Sequence, residues 1–325
     1  MKDRRSFLRH SAAGAAAALA PSSLLHAAKE QKSATAETLV KTLYDSLTES
    51  QRKALLFSFD DPLRLRISNN WHITEQRIGR FLDADQNAMV REIFLKAHSE
   101  EYAETVIGQV EHDSGRAGFG DSSIAIFGEP GTDQFEFVLT GRHTTRRIDG
   151  DSVEGKAFGG PIFYGHAAES FNEGPDHKGN AYWFQAQSAN RVFEMLDGSQ
   201  REEALLARSP RDNSSVIELR GDNSRVAGLR VSEMTSDQVT GVREVLNDLL
   251  MPFREVDRVE SMKLIEKAGF EDLHLSFFKD EDIGRDGVWD NWKLEGPHMV
   301  WYFRGSPHVH TWVHISDPDL PLTAS

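Results

Sequence analysis

His298-Met299-Val300-Trp301-Tyr302-Phe303-Arg304, then Gly305-Ser306-Pro307, then His308-Val309-His310-Thr311-Trp312-Val313-His314: this stretch decides the fold. It gathers four of the thirteen histidines into seventeen residues, on two runs that alternate with the period of a β-strand. Side chains alternate faces along a strand, so His308, His310, Trp312 and His314 share one side, and Val309, Thr311, Val313 and Ile315 take the other. With Gly305-Ser306-Pro307 as a three-residue hairpin loop, Arg304 faces His308, Tyr302 faces His310 and His298 faces His314. The hairpin then has an apolar face (Met299, Trp301, Phe303, Val309, Val313) and a face of Arg, Tyr and His. Such a face is a platform for metal or acid–base chemistry.

The rest of the chain builds outward from this hairpin. Leu39, Leu43 and Leu47 form a helical stripe from Ala36, and further helices are expected near 84–97, 99–111, 181–197, 199–207, 235–250 and 253–268. Residues 59–73 read as irregular. Thr48 to Gln51, Asp83 to Gln86 and Thr235 to Gln238 each place Gln three residues after a capping side chain, the capping-box spacing. Gln86 to Glu92 and Gln238 to Glu244 also share Gln-x-x-x-Val-Arg-Glu. That match is too short to establish a duplication, and repeated capping chemistry is the reading adopted. Period-two segments at 124–127, 135–139, 214–219, 228–231 and 273–278 read as strands. Strands that pair locally, with helices set apart from them, predict an α+β fold: a central antiparallel β-sheet with the C-terminal His-rich hairpin, packed by helices.

The N-terminus reads as an export signal. Asp3-Arg4-Arg5-Ser6-Phe7-Leu8-Arg9 precedes a small-residue apolar run from Ala12 to Leu25, then His26-Ala27-Ala28. Paired arginines before Phe-Leu point to the twin-arginine translocation machinery, with cleavage after Ala27 or Ala28. The run is too short and alanine-rich for a membrane span of about 20 apolar residues. The expected organisation is a signal at 1–28, a linker at 29–35 and a single domain at 36–325, periplasmic or secreted, with no membrane anchor after cleavage. Removal of the signal would take the net charge from −14 to −17. Such an acidic chain is not drawn to nucleic acid or to anionic membrane. It has no cysteine, which leaves His, Asp, Glu and Tyr for any site.

Several side chains are candidates for that site. His308 and His310, two apart on a strand, project side by side and can share one metal ion. His143 lies in Leu139-Thr-Gly-Arg-His-Thr-Thr-Arg-Arg147, at the end of a strand with an apolar face. Phe158 to Glu173 is glycine-rich and offers His166 and Glu169, which would share a face of a helix with Glu173. Arg142, Tyr302 and Arg304 are candidates for substrate binding. Arg146 and Arg147 read as a solvated strand end, and Trp289, Trp292, Trp301 and Trp312 as core. Asp176-His177-Lys178 reads as an exposed turn. The chain lacks a His-Glu-x-x-His helix, a Gly-x-Ser-x-Gly elbow, a Walker loop and an EF-hand loop.

The twin-arginine start, Gly141-Arg-His143, Gly159-Gly-Pro-Ile-Phe-Tyr-Gly-His166, Leu294-Glu-Gly-Pro297 and the terminal His-x-His together resemble the bacterial "domain of unknown function 3500" family. In that family a Gly-His-His segment precedes the glycine-rich region and a His-x-His lies near the end. Arg142 stands where the first paired histidine would, and His143 matches the second. The resemblance implies that His143, His308 and His310 act together, and it supplies no reaction. The expectation is an exported metal-dependent hydrolase or oxidoreductase acting on a small molecule. His143, His308 and His310 would hold a divalent transition metal (Zn, Cu or Fe), with His166 and Glu169 as acid/base groups. The alternative is a periplasmic protein that binds a metal or small ligand without turnover.

Overall fold

Helix starts are set by local chemistry. The structure, a computed structural model, describes residues 34–166, 180–283 and 286–322. Thr35 accepts the N–H of Thr38 and opens α1 (Ala36–Ser46), which buries Leu39, Val40 and Leu43 as the stripe predicts. Capping boxes at Thr48–Gln51 and Asp83–Gln86 open α2 (Glu49–Leu55) and α3 (Ala84–Lys96), and α4 (Ala103–Asp113) follows. With them run β1 (Leu56–Phe57), β2 (Ser123–Gly128), β3 (Phe135–Gly141), β4 (Thr144–Ile148) and β5 (Ile162–Gly165). Apart from a single helical turn at Ile78–Phe81 and short 3-10 turns, the other elements are α5 (Trp183–Met195), α6 (Gly198–Ala204), β6 (Leu205–Leu206), β7 (Leu229–Arg230), α7 (Ser236–Leu250), α8 (Glu255–Ala268), β8 (His274–Phe278), β9 (Asn291–Gly296), β10 (Met299–Arg304) and β11 (His310–Ile315). α8 stops at Gly269, whose φ of 98° suits a residue without a Cβ.

The strands form one mostly antiparallel sheet of eleven, in the order β1-β2-β3-β4-β5-β11-β10-β9-β8-β6, with β7 beside β8. This is the α+β architecture expected from the sequence, and Thr35–Ser325 form one compact unit. The hairpin register differs from the expected one. Arg304 faces His310, Tyr302 faces Trp312 and Val300 faces His314, because the loop takes five residues, 305–309, with a cis Ser306–Pro307 bond. The shift is two residues, so every side chain within Met299–Arg304 and His310–Ile315 keeps its predicted face. His308 is therefore a loop residue. Because the hairpin lies centrally, both its faces are buried.

The strand order reads the same from either edge, and the symmetry extends to side chains. In each half a short strand (β1 or β6) pairs parallel with an outer strand (β2 or β8), which leads into an antiparallel meander. Gln51 and Gln86 exchange amide hydrogen bonds between their two capping boxes. Gln200 and Gln238 do the same between a box at Asp197–Gln200 and the one at Thr235–Gln238. Arg52 lies over Tyr44 and Arg201 over Phe193. At the centre Ile162 faces Val313 across the β5–β11 pair. These occupy equivalent places, so a pseudo-two-fold axis passes between them. The described fold is thus an internal structural repeat; the three capping boxes are present as read, and the repeat accounts for their recurrence.

Helices pack on one face of the sheet, where Phe253, after α7, meets Tyr164 and Trp301. Irregular segments cover the other face, on which Ile67, Phe163, Val216, Ile217, Val300, Tyr302 and Trp312 form a closed apolar cluster. Burying each of the larger side chains contributes roughly 1.5–3 kcal/mol. Ser214–Ile217 is a 3-10 turn of this cover, not a strand. Arg146 and Arg147 are both buried, which corrects their reading as a solvated strand end. Arg147 pairs with Glu136 at 2.5 Å and Arg146 donates to His98 and to the Phe163 carbonyl. Trp292, Trp301 and Trp312 are core, as expected, whereas Trp289 is only part-buried. No helix among the described residues is long and apolar enough to cross a membrane. The signal, the linker up to residue 33, Glu169, Glu173 and Asp176-His177-Lys178 lie outside the described residues.

Candidate metal centre

The turn between β3 and β4 has two residues, Arg142 and His143, because Gly141 pairs directly with Thr144. His143 adopts φ 54°, a left-handed conformation that costs a non-glycine residue about 1 kcal/mol or more. The strain has an evident return: it turns the imidazole inward across Gly165, which pairs with His310 on β11. A Cβ at Gly165 would lie 3.4 Å from the Cβ of His143 and 2.2 Å from the Val309 carbonyl oxygen, so only glycine permits this approach. β11 begins at His310, and the loop before it delivers His308.

The three rings meet. Ring centroids lie 4.6 Å apart for His308 and His310, 4.7 Å for His143 and His310, and 5.0 Å for His143 and His308. One nitrogen from each falls within 4.8 Å of the others, and the group could hold a metal ion. His143 and His310 are each 5 % exposed. Nδ1 of His143 lies 3.1 Å from Oδ2 of Asp113, at the end of α4, and Nδ1 of His310 lies 2.7 Å from Oδ2 of Asp212, in the cover segment. A carboxylate accepts from Nδ1–H, so both rings carry their proton there and present Nε2 as a lone pair. The Nε2 atoms of His308 and His310 are 2.9 Å apart.

Asp212 also accepts from Arg304 at 2.8 Å, from the Trp312 indole at 2.8 Å and from Asn69 at 3.3 Å. Burial alone would raise its pKa, but the His310 N–H, the Arg304 charge and the indole outweigh burial and hold it well below the usual carboxylate range. Burial depresses His308 to about 3, helped by the neighbouring His310, His143 and Arg304. Burial likewise takes His310 to about 4, against the opposing pull of Asp212. Both are neutral near pH 7, the state that binds a metal ion.

His166 stands on the other side of Asp113. The Gln109 carbonyl oxygen accepts from the Ala181 N–H, so its amide nitrogen donates to Oδ1 of Asp113 at 3.0 Å and to Nδ1 of His166 at 2.6 Å. His166 Nδ1 is therefore an acceptor and Nε2 carries the proton, the opposite tautomer to His143. Its ring is 1 % exposed and is not among the three that converge. Arg142 is exposed and donates to the Asp113 carbonyl. Arg304 is held by Asp212, and Tyr302 is fully buried, its hydroxyl donating to the Pro210 carbonyl. Asp113, Gln109 and Asp212 were missed from the sequence, because no spacing ties a helix end or an irregular segment to a distant histidine.

A model for a protein family of unknown function, DUF3500, matches residues 29–318. The chain belongs to the DUF3500 family. No curated protein and no solved structure matches it significantly. The DUF3500 match spans every element that builds the histidine cluster, from α4 to β11.

Proposed function

We propose that this DUF3500 protein is a metal-dependent enzyme, with His143, His308 and His310 binding a divalent transition metal through Nε2. The observation that carries the reading is the pair of carboxylates: Asp113 and Asp212 each hold the Nδ1 of one ring, and one nitrogen from each of the three rings lies within 4.8 Å of the others. Three neutral nitrogen ligands, with no thiolate in the chain, fit Zn or Cu best, and Fe less well. No fourth His, Asp or Glu joins the group among the described residues. A three-ligand set with a further coordination position is the arrangement of catalytic sites, in contrast to closed structural ones. When bound, such an ion polarises a substrate oxygen or activates water. The chain's own contribution is to bury His143 and His310, to keep His308 and His310 neutral, and to place His166 as a proton donor linked to His143 through Gln109 and Asp113. Arg142, exposed at the rim, would bind an anionic group of a small-molecule substrate. Glu169 remains a proposed acid/base partner of His166. Twin-arginine export to the periplasm is part of the same proposal, supported by Arg4-Arg5 and by a fold without disulfides.

The test is elemental analysis of protein exported through its own signal and purified without a His tag, beside His308→Ala/His310→Ala. Near-stoichiometric Zn, Cu or Fe, lost in the variant, is the expected result. A wild-type protein that holds none and takes up none from added salts would sink the reading. Tight metal without turnover of any oxygen-rich small molecule would favour the binding-protein alternative.

A further inference from the structure

The three histidines are not equivalent. His143 rests on the buried Asp113 and His310 on the part-buried Asp212, whereas among the described residues no carboxylate holds His308. Its ring touches His143 and His310, its carbonyl accepts from Arg304 at 3.4 Å, and no group holds its Nδ1 among the described residues. It is also the partly exposed member, carried by a five-residue loop instead of a strand or tight turn. The molecule contains its own comparison. The pseudo-two-fold axis relates His143 to His298, which occupies the same place in the two-residue turn between β9 and β10. The neighbouring backbone bonds repeat: Gly165 donates to the His143 carbonyl at 3.0 Å and Ser316 to that of His298 at 2.9 Å. Near the end of α8, however, Lys267 pairs with Asp317 at 2.7 Å, where α4 supplies Asp113. Among the described residues no carboxylate accepts from His298: Asp317 is near but turned to Lys267, the Nδ1 of His298 has no hydrogen-bond partner, and it joins no cluster. The equivalent turns differ at this residue: His143 has a φ of 54° and a carboxylate on Nδ1, whereas His298 has neither and stands outside the cluster.

We propose that Asp113 and Asp212 are the positioning residues of the centre, and that His308 is its adjustable ligand, able to yield its place while His143 and His310 hold the ion. Asp212 fixes His310 together with Trp312 and Arg304, so the cover segment and β11 act as one support. Asp113 fixes His143 in its strained turn. This assignment rests on the metal reading above.

The experiment measures Zn2+ affinity by chelator competition and the Co2+ absorption spectrum on the full chain, for wild type and Asp113→Asn, Asp212→Asn, His143→Gly, His308→Gly and His310→Gly. Circular dichroism establishes that each variant folds. The asparagine variants are expected to weaken Zn2+ by 10–100-fold and to alter the Co2+ spectrum, since they disturb tautomer and orientation while leaving all three ligands. His308→Gly is expected to keep measurable Zn2+ and to regain affinity with added imidazole. His143→Gly and His310→Gly are expected to lose binding beyond rescue, because these rings are 5 % exposed and a free imidazole does not reach the space they leave, whereas the place of His308 opens to solvent. Wild-type binding with asparagine variants unchanged, or with three glycine variants equally impaired and equally rescued, overturns the assignment alone. A wild type that binds neither ion overturns the metal reading and this assignment with it.

Discussion

His314 lies on the same face of β11 as His310 and meets a different fate. It is 8 % exposed and its Nδ1 donates to the Ile217 carbonyl at 3.0 Å. Burial, with lesser pushes from Lys156 and Arg147, lowers its pKa to about 4 against the pull of that carbonyl. The unfolded chain takes up this proton near pH 6.5, and the folded protein only near 4. The stability at stake is whole above about pH 6.5 and falls away as the pH drops to about 4. Asp290 and Glu260, each raised to about 7 chiefly by burial, shift the balance the opposite way over the same range. The raw curve is therefore ambiguous, and a difference is needed. His314→Gln keeps a donor for Ile217 and removes the titration. Its melting temperature should fall less steeply than the wild type's between pH 6.5 and 4, measured without metal. Parallel curves would mean that His314 titrates alike in both states.

At the scale of elements, the meeting of β5 with the start of β11 carries the candidate site. Gly165 packs against the backbone between His308 and His310, and an added methyl would stand 2.2 Å from the Val309 carbonyl oxygen. Neither partner is a flexible side chain, so the strands must part, at a cost of about 1–3 kcal/mol. Gly165→Ala is expected to lower the melting temperature and also to weaken Zn2+ binding in calorimetry; unchanged metal affinity would show that the histidines are set independently of this contact. Gly165 also marks what the sequence could tell. The alternation of His310 to Ile315, the glutamine capping boxes and the glycine after α8 are local signals, and each was legible. The hairpin register was not, because a cis proline and a five-residue loop replace the short turn that the spacing implied. Asp113 and Asp212 were illegible for a different reason: they reach their histidines through the fold, across 30 and 98 residues of chain. The repeat lay half-hidden. Ser50-Gln51-Arg52 and Ser199-Gln200-Arg201 take equivalent places, yet only the capping logic survives around them.

For the whole molecule, the pseudo-symmetry says where a metal ion would act on stability. His143 and Asp113 come from the first half of the repeat, and His308, His310 and Asp212 from the second. The two halves meet through β5 and β11, a single antiparallel pair at the centre of the sheet. An ion bound by all three histidines would cross-link the halves beside that pair, and unfolding either half would release it. A ligand at a hundred times its Kd stabilises by about 2.7 kcal/mol. For a chain of this size each kcal/mol moves the melting temperature by roughly 2 °C. Zinc at that excess should therefore raise the melting temperature by about 5 °C in one cooperative calorimetric transition, and chelation should reverse the shift. The variant His143→Ala/His308→Ala/His310→Ala should melt at the same temperature with zinc or without it. If zinc instead split the wild-type transition in two, with only the upper one shifted, the ion would be bound within one half, and the centre as drawn across the repeat would be wrong.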